Sequence, residues 1–278
     1  MQTNSIPISV VIFTKNEEKN ITDCINSVSE FNEVIVVDSE SSDSTVRLSE
    51  NLGAKVVNFS WNKKYPKKRQ WSIDNIEYQN EWILFLDADE RVSVKLINEI
   101  KIFITFHQFK YCGASLPIDY FFAGVKLRFG QKPRKTVLFR TDSTKYPIID
   151  DLRSEGMGEL EGHYQPLING KIRKFRNSIT HNDNDPIVTW MFRHINYAKW
   201  EAFLINNIQI KKVVDDSKSK LSFIFHRYSY RPIIFFTYSY FIRLGFLDGR
   251  AGFNYAFAKA WYYWLSDVIA RENVKNVI

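Results

Sequence analysis

Short polar runs rich in acidic residues follow three apolar segments in the first ninety residues. In chain order they are Thr14–Glu17, Asp38–Glu40 and Asp87–Glu90. Polar loops and helix caps are common at strand ends, but three such runs in one region predict a shared binding edge. Asp87 and Asp89 stand one residue apart after an apolar run, and hard cations such as Mg²⁺ and Mn²⁺ prefer carboxylate oxygens. The pattern therefore predicts a divalent-cation site that faces a phosphate-bearing ligand.

Glycine is nearly absent from this part of the chain, since Gly53 is the only glycine before Gly113. A dinucleotide-binding fingerprint and a P-loop both need several glycines, so neither can be built here. Phosphates bound in this half must therefore be neutralised by side-chain cations or by a metal. The basic run Lys63–Arg69 predicts such a cationic wall, although Lys63 and Lys64 fit a solvated loop equally well.

The composition is that of a folded, basic protein. Of 278 residues, 45% are hydrophobic and 25% are charged, with a formal net charge of +7. This charge suits phosphate-bearing ligands or an anionic membrane surface, and no nucleic-acid-binding motif accompanies it. No apolar run reaches the roughly 18–20 residues of a membrane span, and the N-terminus lacks a signal-peptide pattern. We expect a cytoplasmic protein, either free or at the inner face of the cytoplasmic membrane, without a nucleic-acid partner.

Alternating strand and helix patterns would position the polar runs. Strands are predicted at Ile8–Phe13, Val34–Val37, Ala54–Phe59 and Trp82–Leu86. Helices are predicted at Asn20–Val28, from Ser42 or Asp43 to Asn51, and at Lys67–Tyr78. Apolar strands interleaved with helices are typical of a parallel sheet covered on both faces. The predicted fold class is therefore α/β, with a Rossmann-like, mostly parallel sheet and flanking helices.

The pattern changes after Lys110. Short strands are predicted at Tyr111–Pro117, Thr136–Arg140 and Lys171–Phe175. A helix over Pro186–Ile210, with Asp185 as its N-cap, is followed by a polar linker at Lys211–Lys220 and by helices at Pro232–Phe246 and Gly249–Arg271. The last two helices are aromatic and are bordered by arginines. Such faces suit either a membrane interface or packing on another part of the protein or a second subunit.

Four segments of the first hundred residues resemble the family 2 glycosyltransferases, which are inverting enzymes with the GT-A fold. They are SVVIFTKNEEKNITDCINSV, EVIVVDSESSDST, KKRQW and EWILFLDADERV. The forms VVDSESSDST and LDADE, with FLDGRAGF near the C-terminus, are similar to the branch that adds sugars to the lipopolysaccharide core or to exopolysaccharide. The resemblance implies a GT-A catalytic domain over residues 1–210. Residues 1–110 form its nucleotide-sugar-binding half, residues 111–210 its acceptor half, and residues 221–278 a C-terminal helical region.

The resemblance also assigns roles in binding the nucleotide. The residues it places around the nucleotide are Thr14, Asn16, Glu17, Asp38, Lys68, Arg69 and Asp87. Asp38 is expected to hydrogen-bond the base or the ribose, and Arg69, with Lys68, to contact the nucleotide or its diphosphate. The family often has Asn where this chain has Gln70, which leaves the role of that position open.

A metal site is implied by the same resemblance. Asp87 is expected to bind the ribose or the metal, Asp89 to hold the metal, and His181 to serve as an additional ligand. The implied cofactor is Mg²⁺ or Mn²⁺.

An inverting transfer also needs a carboxylate that takes the proton from the acceptor hydroxyl. The segment 150–161 contains five acids, and the related branch often has a Glu upstream of a Gly and a later His. Glu161, with Gly170 and His181 downstream, fits that order best. Glu159 is the first alternative, followed by Asp151 and Glu155, and each of these could equally be an exposed loop carboxylate.

The implied function is transfer of a sugar from a nucleotide-sugar, by family default a UDP-sugar. The acceptor would be a bacterial glycolipid, a lipopolysaccharide core or a polysaccharide. One alternative is a catalytically degenerate GT-A domain that serves as a membrane or assembly scaffold, and this chain could also form a homo-oligomer. A second alternative, a sugar nucleotidyltransferase, usually carries a glycine-rich signature that TKNEEKN lacks.

Overall fold

The computed structural model describes residues 5–130, 133–154, 156–161, 164–181, 186–216 and 230–275. The strands in these ranges are β1 (Ile6–Thr14), β2 (Phe31–Asp38), β3 (Lys55–Asn58), β4 (Trp82–Asp87), β5 (Glu90–Val92), β6 (Gly113–Phe122), β7 (Val125–Lys126), β8 (Arg134–Arg140), β9 (Thr144–Lys145), β10 (Leu167–Ile168), β11 (Ile172–Lys174) and β12 (Ile179–His181). The helices are α1 (Ile21–Asn26), α2 (Thr45–Asn51), α3 (Lys68–Asn75), α4 (Val94–Phe106), α5 (Ile187–Asn206), α6 (Ile208–Asp216), α7 (Arg231–Thr237) and α8 (Gly249–Lys275).

β1 is the central strand of the parallel part of the sheet. It pairs with β2 on one side and β4 on the other, and β3 extends the sheet beyond β2. Its residues Val10, Val11 and Ile12 are completely buried, as expected for a β-branched run in a sheet flanked by helices. The four strands predicted for the first ninety residues are confirmed, with small shifts at their ends.

The remaining strands make the sheet mixed. β8 runs antiparallel to both β4 and β6, and β12 runs parallel to β6 and antiparallel to β5. The order along the sheet is β3-β2-β1-β4-β8-β6-β12-β5. This mixed, largely parallel sheet with flanking and C-terminal helices is the predicted α/β, GT-A fold. It brings β12, from far along the chain, next to the end of β4.

The linker predicted at Lys211–Lys220 is wrong in its first part, because α6 occupies Ile208–Asp216. Val214 is completely buried although its neighbours Lys211 and Lys212 are charged. A helix that buries one apolar side can have polar residues at its other positions. The polar composition of this segment therefore indicates a linker, although the segment is helical. The predicted helix Pro186–Ile210 corresponds to α5, which ends at Asn206. The predicted cap Asp185 and residues 217–220 lie outside the described ranges.

The helix predicted at Pro232–Phe246 is divided into pieces. After α7, the chain makes a π-helical turn at Tyr238–Ile242 and a 3-10 turn at Gly245–Asp248. Leu244 between them has a φ of 59°, which ends regular helix. A side chain at Gly252 would collide with the carbonyl oxygen of Gly245, so the glycine allows the start of α8 to pack closely on this turn.

α8 packs on α5 and on the sheet through aromatic contacts. The ring of Phe122 in β6 lies 5.3 Å from Trp190 of α5 and 5.7 Å from Tyr255 of α8. The buried Arg231 donates to Glu201 at 2.8 Å and also pairs with Asp267. Within the described ranges, no helix combines the length and the apolar character that crossing a bilayer requires. Residues 217–229 lie outside those ranges, and the predicted boundary of the C-terminal region stays a prediction.

Candidate functional site

The polar runs meet at the carboxyl ends of the central strands. In the parallel register, Thr14 of β1 pairs with Asp38 of β2, and Phe13 of β1 pairs with Asp87 of β4. The hydroxyl of Thr14 donates to Oδ1 of Asp38 at 2.8 Å. Thr14, Asp38 and Asp87 therefore share one edge of the sheet, which is where ligands of open α/β sheets bind.

Asp38 is fixed by the loop that follows it. The backbone N–H of Ser41 donates to Oδ2 of Asp38 at 2.8 Å. The backbone N–H of Asn16 donates to the Ser41 hydroxyl, and Oδ1 of Asn16 accepts from the backbone N–H of Ser42, both at 2.8 Å. Asn16 has a φ of 56°, a conformation that Asn adopts more readily than most residues. These contacts make Asp38 a rigid hydrogen-bond acceptor.

Glu17 links the same loop to the two neighbouring helices. Its backbone N–H donates to the hydroxyl of Thr45 in α2, and its carboxylate accepts from the amide of Asn20 just before α1, both at 2.8 Å. The structure thus places Glu17 next to the predicted nucleotide pocket with at least part of its carboxylate engaged locally.

Lys68, in the first turn of α3, reaches the end of β1. It is 2% exposed, and its ammonium donates to the carbonyl oxygen of Thr14 at 2.8 Å. Oε1 of Glu159 lies 3.8 Å from the same nitrogen. Burial lowers the pKa of Lys68 to about 8, although Glu159 and other nearby carboxylates oppose this shift. A buried cation therefore faces the strand ends.

Asp87 is enclosed by two cations. Oδ1 accepts from Nη2 of Arg69 at 2.8 Å, and Oδ2 accepts from the ammonium of Lys135 at 2.9 Å. Lys135 also lies 2.6 Å from Oε1 of the buried Glu90. Burial favours the neutral acid, but Lys135 and Arg69 outweigh it and hold the pKa of Asp87 well below its ordinary value. Asp87 is therefore ionised, and both of its oxygens are occupied by protein cations.

Asp89 and His181 face each other at the same edge. His181 of β12 pairs with Glu90 of β5, and its Nε2 lies 3.3 Å from Oδ2 of Asp89. Burial raises the pKa of Asp89 to about 6, and the nearby carboxylates of Asp87 and Glu90 add to the rise while His181 opposes it. Two members of the predicted metal site that stand far apart in the sequence are thus brought together by strand pairing.

The donor atoms of Asp89 and His181 fit adjacent positions around one divalent ion. Metal–ligand bonds of about 2.1 Å put neighbouring octahedral ligands about 3 Å apart, close to the observed separation. Among the residues that the structure describes, no three His, Cys, Asp or Glu side chains form a group that could hold an ion. Asp89 and His181 could therefore supply two ligands of a divalent ion, and its further ligands would have to come from elsewhere.

Glu161 lies against the first turn of α3. It is 2% exposed, and its Oε1 accepts from the backbone N–H of Gln70 at 2.8 Å. Its Oε2 has no hydrogen-bond partner among the described residues. Burial raises the pKa of Glu161, while the charge of Arg69 and backbone N–H groups act against the rise. One oxygen thus caps the helix, and the other is buried without a hydrogen-bond partner in the described part of the chain.

The alternative acids have different surroundings. Glu159 accepts from the hydroxyl of Ser39 at 2.5 Å and lies beside Lys68. Asp151 is 1% exposed and is enclosed by Lys67 at 2.9 Å, the indole N–H of Trp200 at 2.9 Å and the hydroxyl of Tyr65. These contacts make Asp151 part of a buried structural ion pair. Glu155 lies outside the described residues.

Sequence reasoning missed Lys135 as a residue of this site. It precedes the predicted strand Thr136–Arg140 and belongs to no motif. Only the antiparallel register of β8 against β4, where Leu138 pairs with Leu84, brings it to Asp87. We name the group Thr14, Asp38, Lys68, Arg69, Asp87, Asp89, Lys135 and His181 the donor edge.

Comparisons with known proteins give the following matches. Residues 9–130 match the family described as Glycosyl transferase family 2. An uncharacterised glycosyltransferase of Rickettsia conorii is 31% identical over 281 residues, which cover 98% of this chain and 93% of the relative. The solved structure of Staphylococcus aureus TarS 1–349 is 15% identical, covers 97% of this chain and 91% of that chain, and has a TM-score of 0.46.

A second solved structure matches only part of the chain. It is Mycobacterium tuberculosis glucosyl-3-phosphoglycerate synthase in complex with Mn²⁺, uridine diphosphate and glucosyl-3-phosphoglycerate. It is 24% identical, covers 40% of this chain and 43% of that chain, and has a TM-score of 0.32.

Proposed function

Since this chain belongs to glycosyl transferase family 2 and is a nucleotide-sugar glycosyltransferase, we propose that it moves a sugar from UDP to an acceptor hydroxyl with inversion. The observation that carries this proposal is the donor edge. It combines carboxylates that suit a ribose and a divalent cation with cations that suit a diphosphate. A UDP-sugar carries the ribose and the diphosphate in one molecule, and its diphosphate can bind the divalent cation.

In the proposed donor complex, Thr14, Asn16 and Glu17 line the nucleotide pocket and Asp38 accepts a hydrogen bond from the base or ribose. Lys68 and Arg69 face the diphosphate. Their positions are supported by the contacts of α3 with the ends of β1 and β4. We add Lys135 to this group, because it neutralises Asp87 and Glu90 and so keeps the edge from repelling phosphate.

Asp89 and His181 would hold Mg²⁺ or Mn²⁺. A bound divalent ion there supplies positive charge that stabilises the departing diphosphate. The predicted metal role of Asp87 requires Arg69 or Lys135 to release one of its oxygens. Without that change, Asp87 serves to orient the two cations.

Glu161 is the proposed catalytic base. The acceptor oxygen forms a bond to the anomeric carbon, the bond from that carbon to the β-phosphate oxygen breaks, and its electron pair leaves with UDP. The proton of the acceptor hydroxyl passes to Glu161. Burial raises the pKa of this carboxyl, which makes it a stronger base, and its Oε2 is unpartnered in the described part of the chain.

The proposed acceptor is a bacterial glycolipid, a lipopolysaccharide core or a polysaccharide, and the C-terminal helices support peripheral contact with a membrane. Large apolar side chains are exposed there: Ile233, Phe241, Ile242, Leu247, Phe253 and Phe257. Arg243 and Arg250 are exposed nearby. Aromatic faces with basic rims bind anionic interfaces. Co-sedimentation with phosphatidylglycerol vesicles tests this contact, and a dimer measured without vesicles would instead favour a homo-oligomer.

A donor screen tests the proposed transfer. Nucleotide release and binding would be measured with UDP-, GDP- and dTDP-sugars in the presence and absence of Mn²⁺. We expect Asp89→Ala to lose metal-dependent donor binding, and Glu161→Gln to keep binding but lose transfer. Near-normal turnover by Glu161→Gln would remove this residue from the role of base. Nucleotide binding without turnover of any donor by the native chain would favour the degenerate domain.

A further inference from the structure

Arg91 lies in β5, directly after the acidic residues that follow β4, and it takes no part in the proposed donor complex. Its guanidinium donates to three backbone carbonyl oxygens. Nη1 donates to Ala88 at 2.8 Å and to Glu90 at 2.9 Å, and Nη2 donates to Asn20 at 2.9 Å. The side chain is 16% exposed, whereas the carboxylate of Asp23, 3.8 Å away, is 74% exposed and so adds little. Arg91 is therefore held mainly by the backbone of two segments that are far apart in the sequence.

The first of these segments is the turn Asp87–Glu90, which we name the acidic turn. Arg91 binds the carbonyl oxygens of Ala88 and Glu90, the residues on either side of Asp89. A side chain is aimed by the backbone from which it projects, so these two bonds restrict the position of the Asp89 carboxylate. That carboxylate is one of the two groups proposed to hold the divalent cation.

The second segment is the loop Lys15–Asn20, which we name the nucleotide loop. Asn20 ends this loop, where its backbone N–H donates to the carbonyl oxygen of Glu17 at 2.9 Å and its amide donates to the Glu17 carboxylate at 2.8 Å. The loop is also fixed from α2, because the backbone N–H of Glu17 donates to the hydroxyl of Thr45 at 2.8 Å. Arg91 thus joins the acidic turn to a loop that is held in place by other contacts as well.

The joining of two segments by one side chain depends on the shape of arginine. The planar guanidinium directs several N–H groups along fixed directions, so it can bind carbonyl oxygens of both segments at once. Lysine has a single nitrogen on a flexible chain and cannot reproduce this fork. Because the partners of Arg91 are neutral carbonyl groups, the geometry of its side chain matters more than its charge.

We propose that Arg91 is a positioning residue, which couples a cation at Asp89 to the bound nucleotide by holding the acidic turn against the nucleotide loop. With Arg91 in place, the cation and the diphosphate meet a preformed site. Without it, the acidic turn must be ordered as they bind, and this ordering opposes binding. Linkage makes the effect reciprocal, so the cation tightens UDP binding by the factor by which UDP tightens cation binding. This inference rests on the proposed function, since it requires both ligands at the donor edge.

The test measures the Kd for UDP by calorimetry on the full chain, with and without Mn²⁺. We name the ratio of the two values the metal effect. Coupling between two sites is typically about 5–150-fold, so we expect Mn²⁺ to lower the native Kd at least about fivefold. Mn²⁺ also binds UDP in solution, but equally for every variant, so differences in the metal effect between variants report on the protein.

Arg91→Lys keeps the charge and removes the fork. We expect the metal effect to fall at least about threefold, because the acidic turn is no longer held against the nucleotide loop. The Kd for UDP without metal should stay within about twofold, because the nucleotide loop keeps its contact with Thr45. A role through charge predicts a native metal effect in Arg91→Lys. A role in stability alone predicts a lower free energy of unfolding in urea with a native metal effect, and either result would overturn the proposal.

Arg134→Lys is the matched control. Arg134 also donates to backbone carbonyl oxygens, those of Ser115 in β6 and of Phe175 just after β11. Neither of these belongs to the acidic turn or to the nucleotide loop. The metal effect should therefore be native in this variant. A loss as large as that in Arg91→Lys would contradict a specific role of Arg91.

A double substitution tests whether Arg91 acts through Asp89. Asp89→Ala removes the carboxylate, and Arg91→Lys is then added to it. In this background the added substitution should leave the Kd for UDP in Mn²⁺ within about twofold, because the group that Arg91 positions is gone. An equal loss of affinity in the presence and absence of the Asp89 carboxylate would overturn the proposal.

Failure of the inference is distinguishable from failure of the proposed function. If Mn²⁺ leaves the native Kd for UDP unchanged, the proposed metal role fails and the inference fails with it. If Mn²⁺ tightens native binding and folded Arg91→Lys keeps the full metal effect, only the inference fails. Circular dichroism confirms that each variant is folded.

Discussion

The donor edge and the buried segment around Glu161 both contact the start of α3, but they treat polar groups in opposite ways. At the donor edge the charges are paired within the protein, as in the contacts of Asp87 with Arg69 and Lys135. In the buried segment, Oε2 of Glu161 and the hydroxyl of Tyr164 have no partner in the described chain. A charged ligand at the donor edge must therefore exchange existing contacts, whereas the two unpaired atoms carry a cost of burial that no described contact offsets.

The largest expected effect comes from removing the cation at the centre of the donor edge. Lys135→Met leaves the partly exposed Asp87 and the buried Glu90 with one ammonium fewer. Because only Glu90 is fully buried, we expect the free energy of unfolding to fall by about 3 kcal/mol, the lower end of the cost of breaking a buried ion pair. The more negative edge should also raise the Kd for UDP at least about tenfold. Urea denaturation and calorimetry measure the two effects.

Lys126→Met is the matched control. Lys126 pairs with Asp119 at 2.7 Å, but 46% of its side chain is exposed. An exposed pair contributes about 0–1 kcal/mol, so this variant should unfold and bind UDP nearly as the native chain does. Equal changes in the free energy of unfolding and in the Kd for UDP would show that Lys135 contributes no more than the exposed Lys126 does.

Asp151→Asn tests whether the buried charge paired with Lys67 serves the fold alone. The side chains of Asp151 and Lys67 are 0% and 1% exposed, and their pairing distance is 2.9 Å. Loss of the carboxylate leaves an uncompensated ammonium, and we expect the free energy of unfolding to fall by about 3 kcal/mol. The Kd for UDP should stay within about twofold, because Asp151 does not contact the donor edge. A large loss of UDP affinity in folded protein would contradict this separation of roles.

The two regions also differ in how far the sequence predicts them. Asp38 and Asp87 follow apolar runs directly, so strand pattern alone brings them to one edge, and Asp89 stands two residues after Asp87. Lys135 joins them only through pairing of β8 with β4, which no local pattern reveals. His181 was expected from family resemblance, and the pairing of β12 with β5 explains its position. Local periodicity predicts strands, but register between distant segments forms the rest of the site.

The acceptor side was predicted less well for the same reason. The acid-rich segment 150–161 gave several equivalent candidates, and burial distinguishes them only in the folded chain. Glu161 caps α3, and Asp151 binds Lys67, yet both are acids in one loop sequence. The helix α6 depends on the burial of Val214, and the end of regular helix at Leu244 depends on its left-handed backbone conformation. Neither is visible as a composition signal.

A smaller effect is expected from pH at Lys68. Its pKa is lowered from 10.5 to about 8 by burial, so its ammonium is lost as pH rises through 8. UDP affinity should therefore fall several-fold between pH 7 and pH 9. Between pH 8 and 10.5 the unfolded chain binds more protons at this residue than the folded chain does, so its contribution to stability should rise with pH. Binding and stability thus change in opposite directions.

Lys68→Arg provides the control, because arginine stays charged throughout this range. Calorimetric titration of UDP at pH 7, 8 and 9 should show a nearly constant Kd in this variant. If the native chain and Lys68→Arg share the same pH dependence, another group controls donor binding in this range.

The smallest effect is expected at Glu159, which contacts Lys68 of the donor edge. Its Oε1 accepts from Ser39 at 2.5 Å and lies 3.8 Å from the ammonium of Lys68. Glutamine keeps an oxygen for Ser39 but loses the charge that opposes the lowering of the Lys68 pKa. We expect Glu159→Gln to change the transfer rate by less than about threefold and to move the pH midpoint of UDP binding slightly downward. A rate loss of about a hundredfold or more, with UDP binding retained, would instead assign the catalytic base to Glu159, because general base catalysis contributes about 10²–10⁴-fold.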